Sequence, residues 1–294
     1  MAEPLLELHH VTKRFGRVVI AEDLSFTVGS GDTVGIVGPN GAGKTSLFGL
    51  ISGDLSPGAG SVSFAGRPVT KLDAAARCRL GIGRTYQVPR PFGDMTVFEN
   101  VLVAAQQGAG LRRRASYVAA GEALERADMT VFENVLVAAQ QGAGLRRRAS
   151  YAAAGEALER AGMTAEANLP AERLGLLQRK RLELARALAS RPRLLLLDEV
   201  AGGLTDPEVA QLVEIVRGVN ADGITVIWIE HVVRALIAVV TRLICLSGGK
   251  FVGDGDPAAV LAEPAVREVF LGSEVTASLI AGTLTEDVGP GDPQ

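Results

Sequence analysis

Residues 38 to 45 read Gly38-Pro39-Asn40-Gly41-Ala42-Gly43-Lys44-Thr45 and follow directly on the apolar run Thr33-Val34-Gly35-Ile36-Val37. A G-x-x-x-x-G-K-[ST] loop between a strand and a helix fixes much of the fold, because such a site sits where a parallel strand ends and a helix begins. Gly38, Gly41 and Gly43 let backbone N–H groups face phosphates, and the positive end of the following helix points to the same place. Lys44 is placed to reach β- and γ-phosphates, Thr45 offers a hydroxyl to Mg²⁺, and Ser46 follows in the first helical turn. The competing reading is a glycine-rich turn with no ligand. Strand, loop, lysine, hydroxyl and helix in this order favour a nucleoside triphosphate.

The rest of the chain alternates strand and helix patterns, as an α/β domain does. Strands are predicted at 5–9, 25–28, 33–37, 61–64, 82–85, 194–197, 225–229 and 243–246. Helices are predicted after Lys44, after Pro207 and after His231, with short ones at 257–262 and 264–271. The strand Leu194-Leu195-Leu196-Leu197 ends in Asp198-Glu199, and an all-apolar strand of this kind is buried on both faces with its site at the carboxyl end. Asp198 would approach Mg²⁺ and Glu199 would act as general base on an attacking water. Acidic residues after a strand also serve as plain helix caps, and the phosphate loop tips the balance toward chemistry. His231 ends the next apolar strand, Ile227-Trp228-Ile229-Glu230; taken alone it reads as a structural histidine.

An internal duplication is the second unusual feature. Residues 94–127 recur as 128–161, with Val118 against Ala152 as the single difference. Solenoid repeats diverge and come in threes or more, so two near-identical copies point to a recent tandem duplication or a misassembled sequence. Each copy opens with a capping box, Thr96 with Glu99 and Thr130 with Glu133, and reads as a helix pair. The whole stretch from about Pro91 to Arg191 is predicted helical. The expected organisation is a core segment 1–90, a helical insertion 91–191 holding both copies, a second core segment 192–272 and a flexible tail 273–294.

Composition excludes several classes. A net charge of -3 over 294 residues gives no global basic balance for nucleic acid, and Arg112-Arg113-Arg114 reads as a solvated helix face. Two cysteines, Cys78 and Cys245, make no disulfide framework and fit a reducing cytosol. The longest apolar runs, such as 235–240, are too short to cross a bilayer, and the N-terminus has no signal-peptide pattern.

In this order the motifs resemble the ATP-binding subunit of an ABC transporter over about Leu5 to Gly272. The resemblance implies an α/β fold: a P-loop NTPase core of ABC ATPase type with an inserted helical subdomain and an antiparallel β element. It implies that Phe15 stacks on adenine and that Gln87 reaches Mg²⁺ near the membrane-subunit contact. Asp198 then matches the Mg²⁺-site aspartate, Glu199 the catalytic glutamate and His231 the switch histidine. The wording Arg84-Thr85-Tyr86-Gln87-Val88-Pro89-Arg90-Pro91-Phe92, with 96–101 and 269–272, is most similar to the branched-chain amino-acid or urea uptake subfamily.

Three departures from that pattern bear on mechanism. The family's Leu-Ser-Gly-Gly-Gln signature is here Leu174-Gly175-Leu176-Leu177-Gln178, so Gly175 has no hydroxyl for a γ-phosphate, although Gly175 and Gln178 still open a helix whose N-terminus suits phosphate. Val200 stands where the family has proline, and Thr205 where it has aspartate or asparagine. What the resemblance implies is an ATP- and Mg²⁺-dependent hydrolase, peripheral on the cytoplasmic face of the membrane. Its partners would be a second ATPase subunit, two transmembrane permease subunits and a solute-binding protein, with no nucleic acid. The alternatives are a regulatory subunit that closes on ATP with weak hydrolysis, which the degenerate signature motivates, and a soluble ABC ATPase outside transport.

Overall fold

The computed structural model describes residues 4–86, 147–167, 169 and 173–271. In chain order come β1 (Leu6–Phe15), β2 (Val18–Val28), β3 (Thr33–Val37), α1 (Lys44–Ser52), β4 (Ala59–Phe64), β5 (Arg67–Pro68), α2 (Ala74–Arg79) and β6 (Ile82–Arg84). Then follow α3 (Arg147–Arg160), α4 (Leu176–Ala189), β7 (Leu194–Asp198), α5 (Asp206–Ala221), β8 (Thr225–Ile229), α6 (Val233–Ile237), β9 (Arg242–Ser247), β10 (Lys250–Gly255), α7 (Pro257–Ala262) and α8 (Pro264–Leu271).

Two sheets form the core. A four-stranded antiparallel sheet has the order β2-β1-β4-β5, and a six-stranded sheet has the order β10-β9-β3-β8-β7-β6. Strands β9, β3, β8, β7 and β6 run parallel, with β10 turned back antiparallel on β9. Side chains alternate across a strand, so the apolar runs of the large sheet feed two separate cores. Leu195, Leu197, Val226, Trp228, Leu243 and Cys245 face one core with residues of α3, α4 and α5. Leu194, Leu196, Ile227, Ile229, Val34 and Ile36 face the other, with α1 and the antiparallel sheet.

The expected strands β3 and β8 and helices α7 and α8 appear with the predicted bounds. Strand β1 instead continues to Phe15 and β2 begins at Val18. Bulges at positive-φ His10 and Asp23 shift the register of this hairpin and break the alternation that reading a sequence depends on. Strand β10 escaped notice because Gly253 and Asp254 interrupt a half-exposed edge strand. Helix α2 is only six residues long, too short for periodicity, and is declared chiefly by its cap, Asp73 accepting from the Ala76 N–H at 2.7 Å. Of the predicted helical stretch, α3 and α4 fall within the described residues; the first repeat copy, most of the second and the tail 273–294 lie outside them.

One buried cation braces the phosphate-loop helix from behind. Arg77, 1% exposed, donates through Nη1 to the Leu50 and Ile51 carbonyls (2.7 and 2.9 Å), through Nη2 to Thr70 O (3.2 Å) and through Nε to Leu72 O (3.1 Å). Leu50 and Ile51 lie in the last turn of α1, where carbonyls have no partner within the helix. A positive charge there also complements the helix dipole.

Candidate functional site

The carboxyl ends of β3, β7 and β8 lie side by side, with Ile36 opposite Ile229 and Ile229 opposite Asp198. Every candidate group at the ends of these strands therefore meets at one edge of the sheet. The phosphate loop wraps tightly there: a Cβ on Gly38 (φ 149°) would stand 2.0 Å from Leu246 O, and one on Gly43 (φ 103°) 2.3 Å from Ile20 O. Glycine is required at both on conformational and steric grounds. Pro39, Asn40 and Gly41 are exposed, Ala42 is buried, Thr45 is exposed on the first turn of α1 and Ser46 is half-buried. Buried Lys44 donates from Nζ to the carbonyls of Gly38 (2.7 Å) and Pro39 (3.1 Å). Burial pulls its pKa down, while the carboxylates of Glu199 and Asp198 hold it up.

The Ile20 contact brings the β1–β2 hairpin against the loop. Phe15, at the end of β1, is 53% exposed, with Lys13 Nζ 5.0 Å from its ring centre. A large exposed ring beside a phosphate loop is a platform on which a base can stack.

Asp198 is buried and presents its two oxygens to different surroundings. Oδ2 accepts from Arg84 Nη2 at 2.9 Å, and Oδ1 is buried without a hydrogen-bond partner. Burial raises the Asp198 pKa, and the Arg84 hydrogen bond and charge pull it back. An orphaned carboxylate oxygen at a phosphate loop fits a hard cation, which takes oxygen ligands. Arg84 also bonds Asp54 Oδ2 at 2.9 Å, and its guanidinium lies 4.9 Å from the Tyr86 ring centre.

Glu199 follows with φ of 50°, a left-handed conformation that costs a non-glycine residue energy and marks functional sites. Its N–H donates to Ile229 O, and its Oε1 lies 2.7 Å from His231 Nε2. Strand geometry thus joins two side chains that are 32 positions apart in sequence. Behind them lies a charge network that the sequence reading missed. Glu230, 1% exposed, accepts from the Ala201 N–H (2.5 Å), Trp228 Nε1 (3.3 Å) and the His231 N–H (3.2 Å). Lys180 of α4, also buried, donates to the Glu199 carbonyl at 3.1 Å. Burial raises the Glu230 pKa and lowers that of Lys180, and each of the two charges pulls the other back toward its ordinary value. The available signal was an acid and a lysine inside otherwise apolar patterns, Ile227-Trp228-Ile229-Glu230 and the core stripe of α4.

Other candidates stand apart from this edge. Gly175 and Gln178 open α4 and bond each other, Gly175 N–H to Gln178 Oε1 at 3.0 Å, with Gln178 Nε2 donating to Glu166. Glycine has no side chain to complete a capping box, so only the Gln178 half is made. Leu176 is 47% exposed, and its Cδ2 would lie 3.3 Å from a Cβ at Gly203. Thr205 precedes α5 and donates from both its N–H and its Oγ1 to Glu208 Oε2, at 2.8 Å each, an ordinary structural role. Gln87 lies outside the described residues.

A phosphate loop, a buried aspartate and a strained glutamate paired with a histidine, at the carboxyl edge of a mostly parallel sheet flanked by an antiparallel one, define a P-loop ATPase of the cassette type. Comparison with known proteins agrees. The family model described as ABC transporter matches residues 21–202. The high-affinity branched-chain amino acid transport ATP-binding protein of Salmonella typhimurium is 31% identical, covering 92% of this chain and 99% of the relative. The lipopolysaccharide export system ATP-binding protein of Acidithiobacillus ferridurans is 30% identical, over 92% of this chain and 98% of its own length. Among solved structures, an ATP-binding cassette of an ABC transporter in its ADP conformation superposes with a TM-score of 0.73 at 26% identity, covering 92% of this chain and 100% of that one.

The chain belongs to the ABC transporter family, as an ATP-binding and ATP-hydrolysing subunit most similar to the branched-chain amino-acid branch. The fold class and the resemblance expected from the motif order are borne out.

Proposed function

We propose that this subunit powers import of branched-chain amino acids or a related small polar solute, paired with a second ATPase subunit on two membrane subunits and served by a solute-binding protein. The observation that carries its chemistry is the Glu199–His231 contact of 2.7 Å beside the phosphate loop, with Glu199 held at positive φ. Glu199 takes the proton of an attacking water, His231 orients Glu199 and faces the γ-phosphate, and Lys44 moves from loop carbonyls to phosphate oxygens. Gly38 to Ser46 cradle the phosphates and Phe15 stacks on the adenine. Thr45 and the orphaned Oδ1 of Asp198, with Gln87, would hold Mg²⁺, which supplies positive charge to the β- and γ-phosphate oxygens. Gly175 and Gln178 open the helix that faces the nucleotide of the second subunit.

The relatives' printed roles support transport. Among the described residues no helix is long and apolar enough to cross a membrane. We assign the subunit to the cytoplasmic face, attached through the membrane subunits. We assign 1–90 and 192–272 to the ATP-binding core, 91–191 to a helical subdomain and 273–294 to a tail. The test is Glu199→Gln in the assembled complex. Expected is retained ATP affinity with turnover lowered by about 10²-fold or more, the scale for loss of a general base. Normal turnover rejects the assignment. Export is the second reading, favoured by the 30% identity to the lipopolysaccharide export subunit, and reconstituted vesicles with ATP supplied on one side distinguish the directions.

A further inference from the structure

Two buried opposite charges behind the catalytic pair are used by nothing described so far. The Glu230 carboxylate gathers N–H groups from three places: the loop after Glu199 through Ala201, its own neighbour His231, and the indole of Trp228. The Lys180 ammonium, from the second turn of α4, reaches the carbonyl of Glu199 itself. Glu199 and His231 are therefore gripped from both sides, side chain to side chain in front and backbone to buried charge behind. A fully apolar substitute would pack this core at lower desolvation cost, because burying charges is expensive unless each is paired and bonded. Two such groups converging on the backbone of both candidate catalytic residues therefore look placed to hold geometry rather than to add stability.

We propose that Glu230 and Lys180 are positioning residues that set the separation of Glu199 and His231 and tie it to α4, the helix opened by Gly175. This rests on the catalytic reading of Glu199. Loss of either charge lets the loop after Glu199 or the His231 backbone relax, and a displacement of about 1 Å at a reacting group is enough for a large loss of rate. The effect falls on the chemical step, so kcat drops while KM for ATP holds.

The decisive variant is the neutral pair Glu230→Gln with Lys180→Met, assayed for phosphate release in the assembled transporter. Lys180→Met withdraws the donor from the Glu199 carbonyl, so the double variant is expected to melt somewhat lower and its kcat is read well below that melting temperature. Its kcat is expected to fall about tenfold or more with KM for ATP within about twofold. A second readout is optical. Trp228 is the single tryptophan, it is buried, and its indole N–H donates to Glu230, so its emission shifts in any variant that disturbs the carboxylate. In a His231→Ala background the double substitution is expected to slow turnover no further, since the separation it maintains no longer matters. A double variant with normal kcat, or losses that simply multiply in the His231→Ala background, overturns the proposal. Should the neutral pair fail to fold, Glu230→Asp keeps the charge and withdraws it by one methylene: lowered kcat at unchanged melting temperature supports positioning, normal kcat overturns it. Normal turnover in Glu199→Gln would fail the catalytic reading instead, and the two failures are read from separate variants.

Discussion

Replacing Arg77 by methionine is expected to weaken the fold by loosening the rear of the phosphate-loop helix. Methionine fills most of the arginine's volume, so the cavity is small and the loss is chiefly of hydrogen bonds. Four backbone carbonyls lose their donor, and two of them, Leu50 and Ile51, make the shortest bonds, 2.7 and 2.9 Å. A buried acceptor left without a partner costs about 1–3 kcal/mol, so those two alone give about 2–6 kcal/mol. Thr70 and Leu72, at 3.2 and 3.1 Å, add less if water reaches them. Against a typical total of about 5–15 kcal/mol this is a large fraction. Urea unfolding followed by Trp228 emission measures it: the midpoint should drop at an unchanged slope. Arg77→Lys keeps the charge but has one nitrogen for carbonyls on several sides, and should recover only part of the loss. A methionine variant within about 1 kcal/mol of the parent would refute the capping argument.

Three further outcomes are expected. Gly43→Ala should abolish nucleotide binding measured with a fluorescent ATP analogue while leaving the far-UV spectrum intact, because the new Cβ meets Ile20 O at 2.3 Å. Gly175→Ser with Leu176→Gly should tighten ATP-driven pairing of the subunits, measured by sedimentation, by restoring a hydroxyl and removing an exposed leucine from the helix that would face the second nucleotide. Deleting 128–161 restores a single copy of the repeat, and should leave ATP binding in place with a melting temperature equal to or above the parent's; failure to fold would show the second copy to be integral.

The parts of the site carried by local pattern were legible in the sequence. Gly38 to Thr45 declare themselves by spacing and Asp198 and Glu199 by ending a fully apolar strand beside that loop, whereas His231 alone reads as structural and takes its role only from the resemblance. Their convergence needed the parallel register that sets Ile229 beside both Ile36 and Asp198. Arg77 and Arg84 were not legible, because each sits in a short pattern that reads equally as a surface charge, and Lys180 and Glu230 left only the faint signal of a charge inside an apolar pattern. Their importance comes from burial and from partners between one and more than a hundred residues away. A charge is noticed in a sequence only when its neighbours make it strange, and these neighbours are assembled by folding.

The large sheet works as a bulkhead between two compartments of side chains. Every core position that the described part of the second repeat copy supplies, Ala153, Ala157, Leu158 and Ala161, enters the compartment shared with α4 and α5. On the far side, α1 and the hairpin bearing Phe15 pack with a set of residues that includes none of these. The described part of the second copy thus packs on one side of a wall, while the phosphate-loop helix and the Phe15 hairpin pack on the other. Substitutions at these three alanines and one leucine are therefore felt first by α4 and α5, and reach the phosphate-loop helix only through the sheet itself.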